Sequence, residues 1–209
     1  MALSRQAVDK AMARPREFDE ETVLDAAVQC FWARGYEATS VRDLIEKTGI
    51  TCASLYNAFG DKRALYQRAL DHYVEDSVVD RIHRCEALAP REAIGAFFAE
   101  IVRRSFEDHQ HKGCMLVNAA LDVAPNDPGF QSIVAAVLLR IEQFFLGRIE
   151  AGQADGTITR SLAAKTLAQH LLGVLMGLRV LARVRPERAL LDGVVSGALT
   201  LLHSQSVSD

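Results

Sequence analysis

The chain has 209 residues, 49% of them hydrophobic, which suits one domain or a small and a medium one and excludes a disordered polymer. Its net charge of −3 and pI near 6.1 exclude a generally basic nucleic-acid coat, so any DNA contact must use a local patch. Cys30, Cys52, Cys85 and Cys114 form no CxxC pair and no Cys/His zinc spacing, and no charged start leads into an apolar run, so a reduced cytoplasmic setting without metal or cofactor is expected.

Residues 1–17 are polar and carry Arg5, Lys10, Arg14 and Arg16, as expected of a flexible arm able to touch phosphates or the minor groove. Phe18 to Tyr36 predicts a helix. Asp19 is its N-cap, Phe18 and Val23 have staple spacing, and Gly35 ends it with Tyr36 able to touch Phe31. Cys30 falls on the apolar stripe of this helix and reads as core.

The stretch Thr39 to Lys62 then predicts two short helices around a tight turn. Ser40 can cap the first, with Asp43 three positions on, and Leu44 and Ile45 face inward. Gly49 suits the turn, Ile50 anchors it, and Thr51 can cap the second helix, whose Leu55 and Phe59 point back. The outward face of that second helix offers Thr51, Cys52, Ala53, Ser54, Tyr56 and Asn57, short groups that permit close approach. This is the pattern of a helix-turn-helix. Charge alone argues the other way, because residues 1–63 hold nine Lys/Arg against ten Asp/Glu.

Asp61 can cap a long connector helix to about Arg84, with apolar marks at Leu65, Ala69, Tyr73, Val78 and Ile82 spaced by four or five. After Pro90 the apolar periodicity lengthens. Helices are expected through Ile94 to Phe106, Cys114 to Val123 and Phe130 to Gln153, with a break at 109–113 and turns at 124–129 and Asp155-Gly156. Two last helices, about Leu162 to Val184 and Glu187 to Ser204, are apolar on more than one face. A second copy of the same pair is the simplest cover, which marks Leu171, Leu175, Leu178, Val194, Ala198 and Leu201 as expected dimer contacts. The run Leu171 to Leu178 is too short to span a bilayer, so no membrane role is expected. The fold class is all-α: a small module at 18–63 and a larger helical domain at 64–209.

Residues Phe31 through Leu65, FWARGYEATSVRDLIEKTGITCASLYNAFGDKRAL, resemble a TetR-type transcriptional regulator. The specific parts are Gly35-Tyr36, Thr39-Ser40, Gly49, the SLYNAF core at 54–59 and Asp61-Lys62. The resemblance covers roughly residues 18–70 by motif and the rest by architecture. It implies a homodimer, probing a palindromic double-stranded operator, usually a repressor, and released by a small-molecule effector. Carried over residue by residue, it puts Thr39, Ser40 and Arg42 beside backbone phosphates, Cys52, Ala53, Ser54 and Asn57 near base edges, and Tyr56 and Lys62 on phosphates. Relatives often carry a longer polar residue where this chain has Cys52. A thiol can meet a thymine methyl but offers no bidentate pattern, so Asn57, suited to adenine, is the main base reader.

For the effector, polar residues on apolar faces are the pointers. Asn118 and His170, with Phe98, Met115 and Phe145, suggest a mostly apolar cavity, while Arg103-Arg104 could meet an anionic effector. A thiol-based sensor using Cys52 or Cys114 is the alternative. No nucleophile-base pair, phosphate loop or metal spacing points to an enzyme.

Overall fold

The computed structural model describes residues 18–203; the expected N-terminal arm lies outside them. Among the described residues, ten α-helices run in order: α1 (Glu20–Arg34), α2 (Val41–Thr48), α3 (Cys52–Phe59), α4 (Lys62–Val74), α5 (Asp80–Glu86), α6 (Pro90–Glu107), α7 (Met115–Asp122), α8 (Pro128–Asp155), α9 (Ala164–Val184) and α10 (Arg188–Thr200). The described residues form no strand, only a lone bridge between Ile158 and His203.

Local chemistry starts the first four helices. The carboxylate of Asp19 accepts the Thr22 N–H at 3.0 Å, and Ser40 and Asp43 form a reciprocal capping box. Thr51 Oγ1 accepts the Ser54 N–H at 3.1 Å, and Asp61 accepts that of Ala64 at 2.7 Å. Between α2 and α3, Gly49 adopts φ +74, a left-handed conformation that costs glycine nothing. The amphipathic faces then close on one another, with Leu44 and Leu55 fully buried and Phe59 nearly so.

The connector differs from a continuous α-helix. Between α4 and α5 the residues Glu75–Val79 form a π-helical turn. The apolar marks explain it: the step from Tyr73 to Val78 is five residues, and a π turn absorbs that step so that both side chains stay buried.

Two aromatic clusters organise the core. Tyr66 lies 4.9 Å from both Phe31 and Tyr36, and 5.2 Å from Phe130, so one ring group joins α1, α4 and α8. Beside it, Arg63 forks onto Asp127 through bonds of 2.7 and 2.9 Å, while the same carboxylate caps α8 at Gly129 and Phe130. Deeper in the larger domain, Phe97, Phe98, Phe144 and Phe145 pack on themselves, with Phe98 and Phe145 stacked at 5.6 Å.

Helix α9 has the length and composition of a membrane span. Its Leu167, Leu171, Leu175, Leu178 and Ala182 are nevertheless buried inside the chain, which is the behaviour of a core helix.

The Arg63 hydrogen bonds hold the Asp127 carboxyl down at about 2, against an ordinary value near 3.9. Its contribution to stability is therefore complete above about pH 4 and disappears as the pH falls toward 2. Asp127→Asn is expected to be less stable at neutral pH and to show a shallower loss of unfolding midpoint between pH 4 and 2. Identical acid profiles for variant and parent would contradict this role.

Candidate nucleic-acid interface and effector cavity

The exposed side of α3 is built by its cap and its burial pattern. With Leu55 and Phe59 turned inward, Cys52, Ala53, Tyr56 and Asn57 face solvent, and Ser54 is half-exposed. Thr51 is exposed too, but its hydroxyl donates to Ser54 Oγ at 2.9 Å. A turn away, Arg42 has an 87% exposed side chain whose Nε meets Glu46 at 2.9 Å. An exposed pair of this kind is worth little, so the guanidinium is free to exchange it for a phosphate. Lys62 Nζ sits 4.4 Å over the Tyr36 ring, which positions its charge at the start of α4.

Two expected phosphate contacts are placed differently. Thr39 is completely buried and donates its hydroxyl to the Gly35 carbonyl at 2.7 Å, so its side chain locks the α1–α2 turn and cannot touch DNA. Ser40 is exposed, yet its hydroxyl donates to Asp43 at 2.7 Å and its backbone N–H donates to the same carboxylate at 2.8 Å, so the capping box already engages both groups. The capping hydrogen bonds from Ser40, with Arg34 beside them, hold the Asp43 carboxyl down at about 2, so the box is intact at neutral pH.

The expected effector residues do not line an interior cavity. Phe98 and Phe145 fill the aromatic core, and Met115 is buried in α7. Asn118 donates to the Lys112 carbonyl at 3.1 Å and accepts from Arg183 at 2.8 Å, which orders a loop. His170 is exposed, one residue out of phase with the buried stripe of α9.

The cavity lies instead where the small module meets the larger domain. About 50 Å³ in volume, it is walled by Trp32 of α1, Tyr73 of α4, Ser77 of the π turn, Arg81 of α5, Arg104 of α6 and Arg179 of α9. Arg81 is 1% exposed and Arg179 9%. Burial, reinforced by the like charge of Arg179, pulls the Arg81 guanidinium down to about 10, so it remains charged at neutral pH. Burial pushes the Tyr73 hydroxyl well up, and that hydroxyl donates to Cys114 Sγ at 3.5 Å. Sequence periodicity could not single out these residues. Their only signal was a cation standing on each of two apolar stripes, Arg81 between Val78 and Ile82 and Arg179 after Leu178.

The six expected dimer residues divide. Leu171, Leu175, Leu178 and Ala198 are buried within the single chain, so they are not available to a second copy. Val194 is half-exposed and Leu201 is 47% exposed, on the outward face with Val180 and Val184.

A capped helix-turn-helix with an open polar face, carried on a larger helical domain, defines a DNA-binding regulator. Comparisons agree. A family model for "Bacterial regulatory proteins, tetR family" matches residues 23–69, and one for "Tetracyclin repressor-like, C-terminal domain" matches 90–197. The chain is 30% identical over 205 residues to the HTH-type transcriptional repressor ComR of Escherichia coli, covering 95% of this chain and 94% of that one. It is 32% identical to the HTH-type transcriptional regulator YezE of Bacillus subtilis, covering 91% and 100%. Among solved structures, a cysteine variant of the regulator CifR complexed with 26-base-pair operator DNA superposes with a TM-score of 0.80 at 35% identity, covering 90% of this chain and 98% of that one.

The chain belongs to the TetR family: it is a DNA-binding transcriptional regulator and not an enzyme.

Asn57→Ala is expected to cost about 1–3 kcal/mol of specific DNA affinity and to relax one base position, whereas Arg42→Ala should weaken all sequences alike and lower the salt slope by about one. Titrating each variant against a set of single-base operator variants at several salt concentrations separates the two. Uniform weakening by Asn57→Ala would remove its role as base reader.

Proposed function

We propose that the protein is a cytoplasmic repressor that binds a palindromic operator as a homodimer and lets go when a small effector fills the cavity. The observation that carries this reading is that α4, which packs on α3, and α1, which packs on α2 and α4, also wall the cavity. A ligand there bears directly on the aim of α3. Two reading helices must lie about 34 Å apart to enter successive major grooves. An effector that favours a splayed arrangement weakens both half-sites together.

The dimer face in this reading is the outward stripe of α9 and α10. Gly173 and Gly177 on α9, and Gly193 and Gly197 on α10, are exposed, and a Cβ at any of them would meet nothing within 4 Å. Each glycine costs a helix interior about 1 kcal/mol relative to alanine. Nothing inside the chain needs them small, whereas a second copy packing closely would. Selection of bound DNA from a random pool is expected to return a palindrome with half-sites one helical turn apart. Val180→Glu, on the 44%-exposed outer face, is expected to shift the protein from dimer to monomer in sedimentation and to abolish tight binding. A dimer that survives this change, or a bound site without symmetry, overturns the dimeric reading.

The thiol-based alternative rests on Cys52, exposed on the reading face, and on Cys114, buried against Tyr73. Under the effector reading, operator binding is unchanged by peroxide in both the parent and Cys52→Ser. Loss of binding in the parent that Cys52→Ser or Cys114→Ser prevents would favour the thiol sensor.

A further inference from the structure

Three buried side-chain polar atoms among the described residues have no hydrogen-bond partner: Trp32 Nε1, Arg81 Nε and Arg81 Nη2. All three are N–H donors, and Trp32 and Arg81 both wall the same cavity. Buried donors are nearly always satisfied, so three on one void ask for an acceptor.

The charge around the void has the same sign. Arg81, Arg104 and Arg179 line it, against Asp108 alone. The carboxylate of Asp108 is already engaged, accepting the backbone N–H groups of Gln110, Lys112 and Gly113. Glu100 lies behind Arg81, its Oε1 3.2 Å from Arg81 Nε but without hydrogen-bond alignment. That one carboxylate is shared with Arg84 and Arg104, each at 3.0 Å. Burial opposes its ionisation, but the Arg84 hydrogen bonds and the neighbouring guanidinium charges outweigh this and keep it charged. Arg179 forms no ion pair among the described residues. A water could satisfy a single donor, but it cannot offset two buried guanidinium charges facing each other.

We propose that this cavity binds a small organic carboxylate, whose oxygens accept from Arg81 and Trp32 and balance the charge of Arg179; this names the ligand class for the effector-release reading above and rests on it. The Phe97 ring, 5.4 Å from the Arg81 guanidinium, fixes the plane of a fork that matches a planar carboxylate. An adjoining recess shares Arg81 and Arg179 and is otherwise apolar, with Val78, Ile101, Leu175 and Met176, but at about 10 Å³ it is no larger than a water site, so the ligand's body must be short and lie in the main cavity. The ligand therefore differs from the mostly apolar effector expected from the aromatic residues: its anchor is an anion. It would touch α1 at Trp32, the π turn at Ser77 and the core helix α9 at Arg179, one element from each part that must move together.

Trp32 is the single tryptophan, so its emission reports on the site directly. The full-length protein is titrated with butyrate, hexanoate, the neutral isostere butyramide and inorganic phosphate. Saturable changes in Trp32 emission and a raised melting temperature are expected with the carboxylates, with butyramide silent and phosphate weaker. Arg81→Met is expected to weaken carboxylate binding by about tenfold or more. Its ligand-free melting temperature should change little, because Arg84 and Arg104 keep Glu100 paired when the buried Arg81 charge is removed. Arg179→Met repeats the test should Arg81→Met fail to fold. Equal responses to butyrate and butyramide, phosphate binding as tight as the carboxylates, no saturable response at all, or full binding by both variants would each overturn the site.

A parallel titration of operator affinity keeps the two readings apart. Carboxylate binding that leaves operator affinity unchanged overturns release and retains the site. Release by a neutral compound without carboxylate binding does the reverse.

Discussion

Two guanidinium groups buried in one cavity set the main constraint on this structure. Desolvating each costs several kcal/mol, and like charges in a low-dielectric space repel. Arg81 and Arg179 sit on the otherwise apolar, buried stripes of α5 and α9. The surrounding fold does not neutralise them either, since Glu100 divides its charge among three arginines. A chain shaped only for stability would not keep this arrangement. The proposed anion would convert the same residues from a cost into a rigid, paired centre.

The position of that centre matters as much as its charge. The small module is held to the larger domain at two places. One is the Tyr36, Tyr66 and Phe130 ring group with the Arg63–Asp127 fork. The other is Trp32, packed 5.1 Å from Tyr73 and capped by Lys112, whose Nζ also donates to Gln29. The first contact is filled and tightly bonded, whereas the second borders the cavity. In the proposed mechanism, a ligand that shifted the second while the first held would turn the reading head about a fixed point. The π turn of the connector lies beside the cavity, and an inserted residue of this kind is a weak place in a helix ladder where such a turn can be absorbed.

The sequence made the reading head legible because its signals are local. Asp19, Ser40, Thr51 and Asp61 sit immediately before their helices, and each forms the cap its position implies. Thr39 escaped because a hydroxyl beside a cap looks available until the chain turns it onto the Gly35 carbonyl. The π turn was visible as a five-residue step but is indistinguishable from loose periodicity without a packed partner. The cavity was out of reach for a stronger reason. Its walls come from Trp32, Arg81, Arg104 and Arg179, residues whose adjacency depends on helix packing and not on spacing. The aromatic residues that suggested a pocket are the ones that best fill a core, so Phe98 and Phe145 close space that a ligand would need.

The same logic narrows the surface through which two copies would meet. Helices α9 and α10 read as apolar all round, yet Leu171, Leu175, Leu178, Leu191 and Ala198 are consumed by the chain's own core. What remains outward is narrow: four glycines, flanked by Val180, Val184, Val194 and Leu201. Such a stripe offers little area per residue but lets helix axes approach closely, and dispersion falls off steeply with distance. Close approach also leaves little freedom in the angle between copies. Arg179 lies on α9 itself, buried where its neighbour Val180 is exposed. In the proposed dimer, a ligand filling the cavity beside α9 would push on the helix whose outer stripe would set the angle between copies, and with it the distance between the two α3 helices.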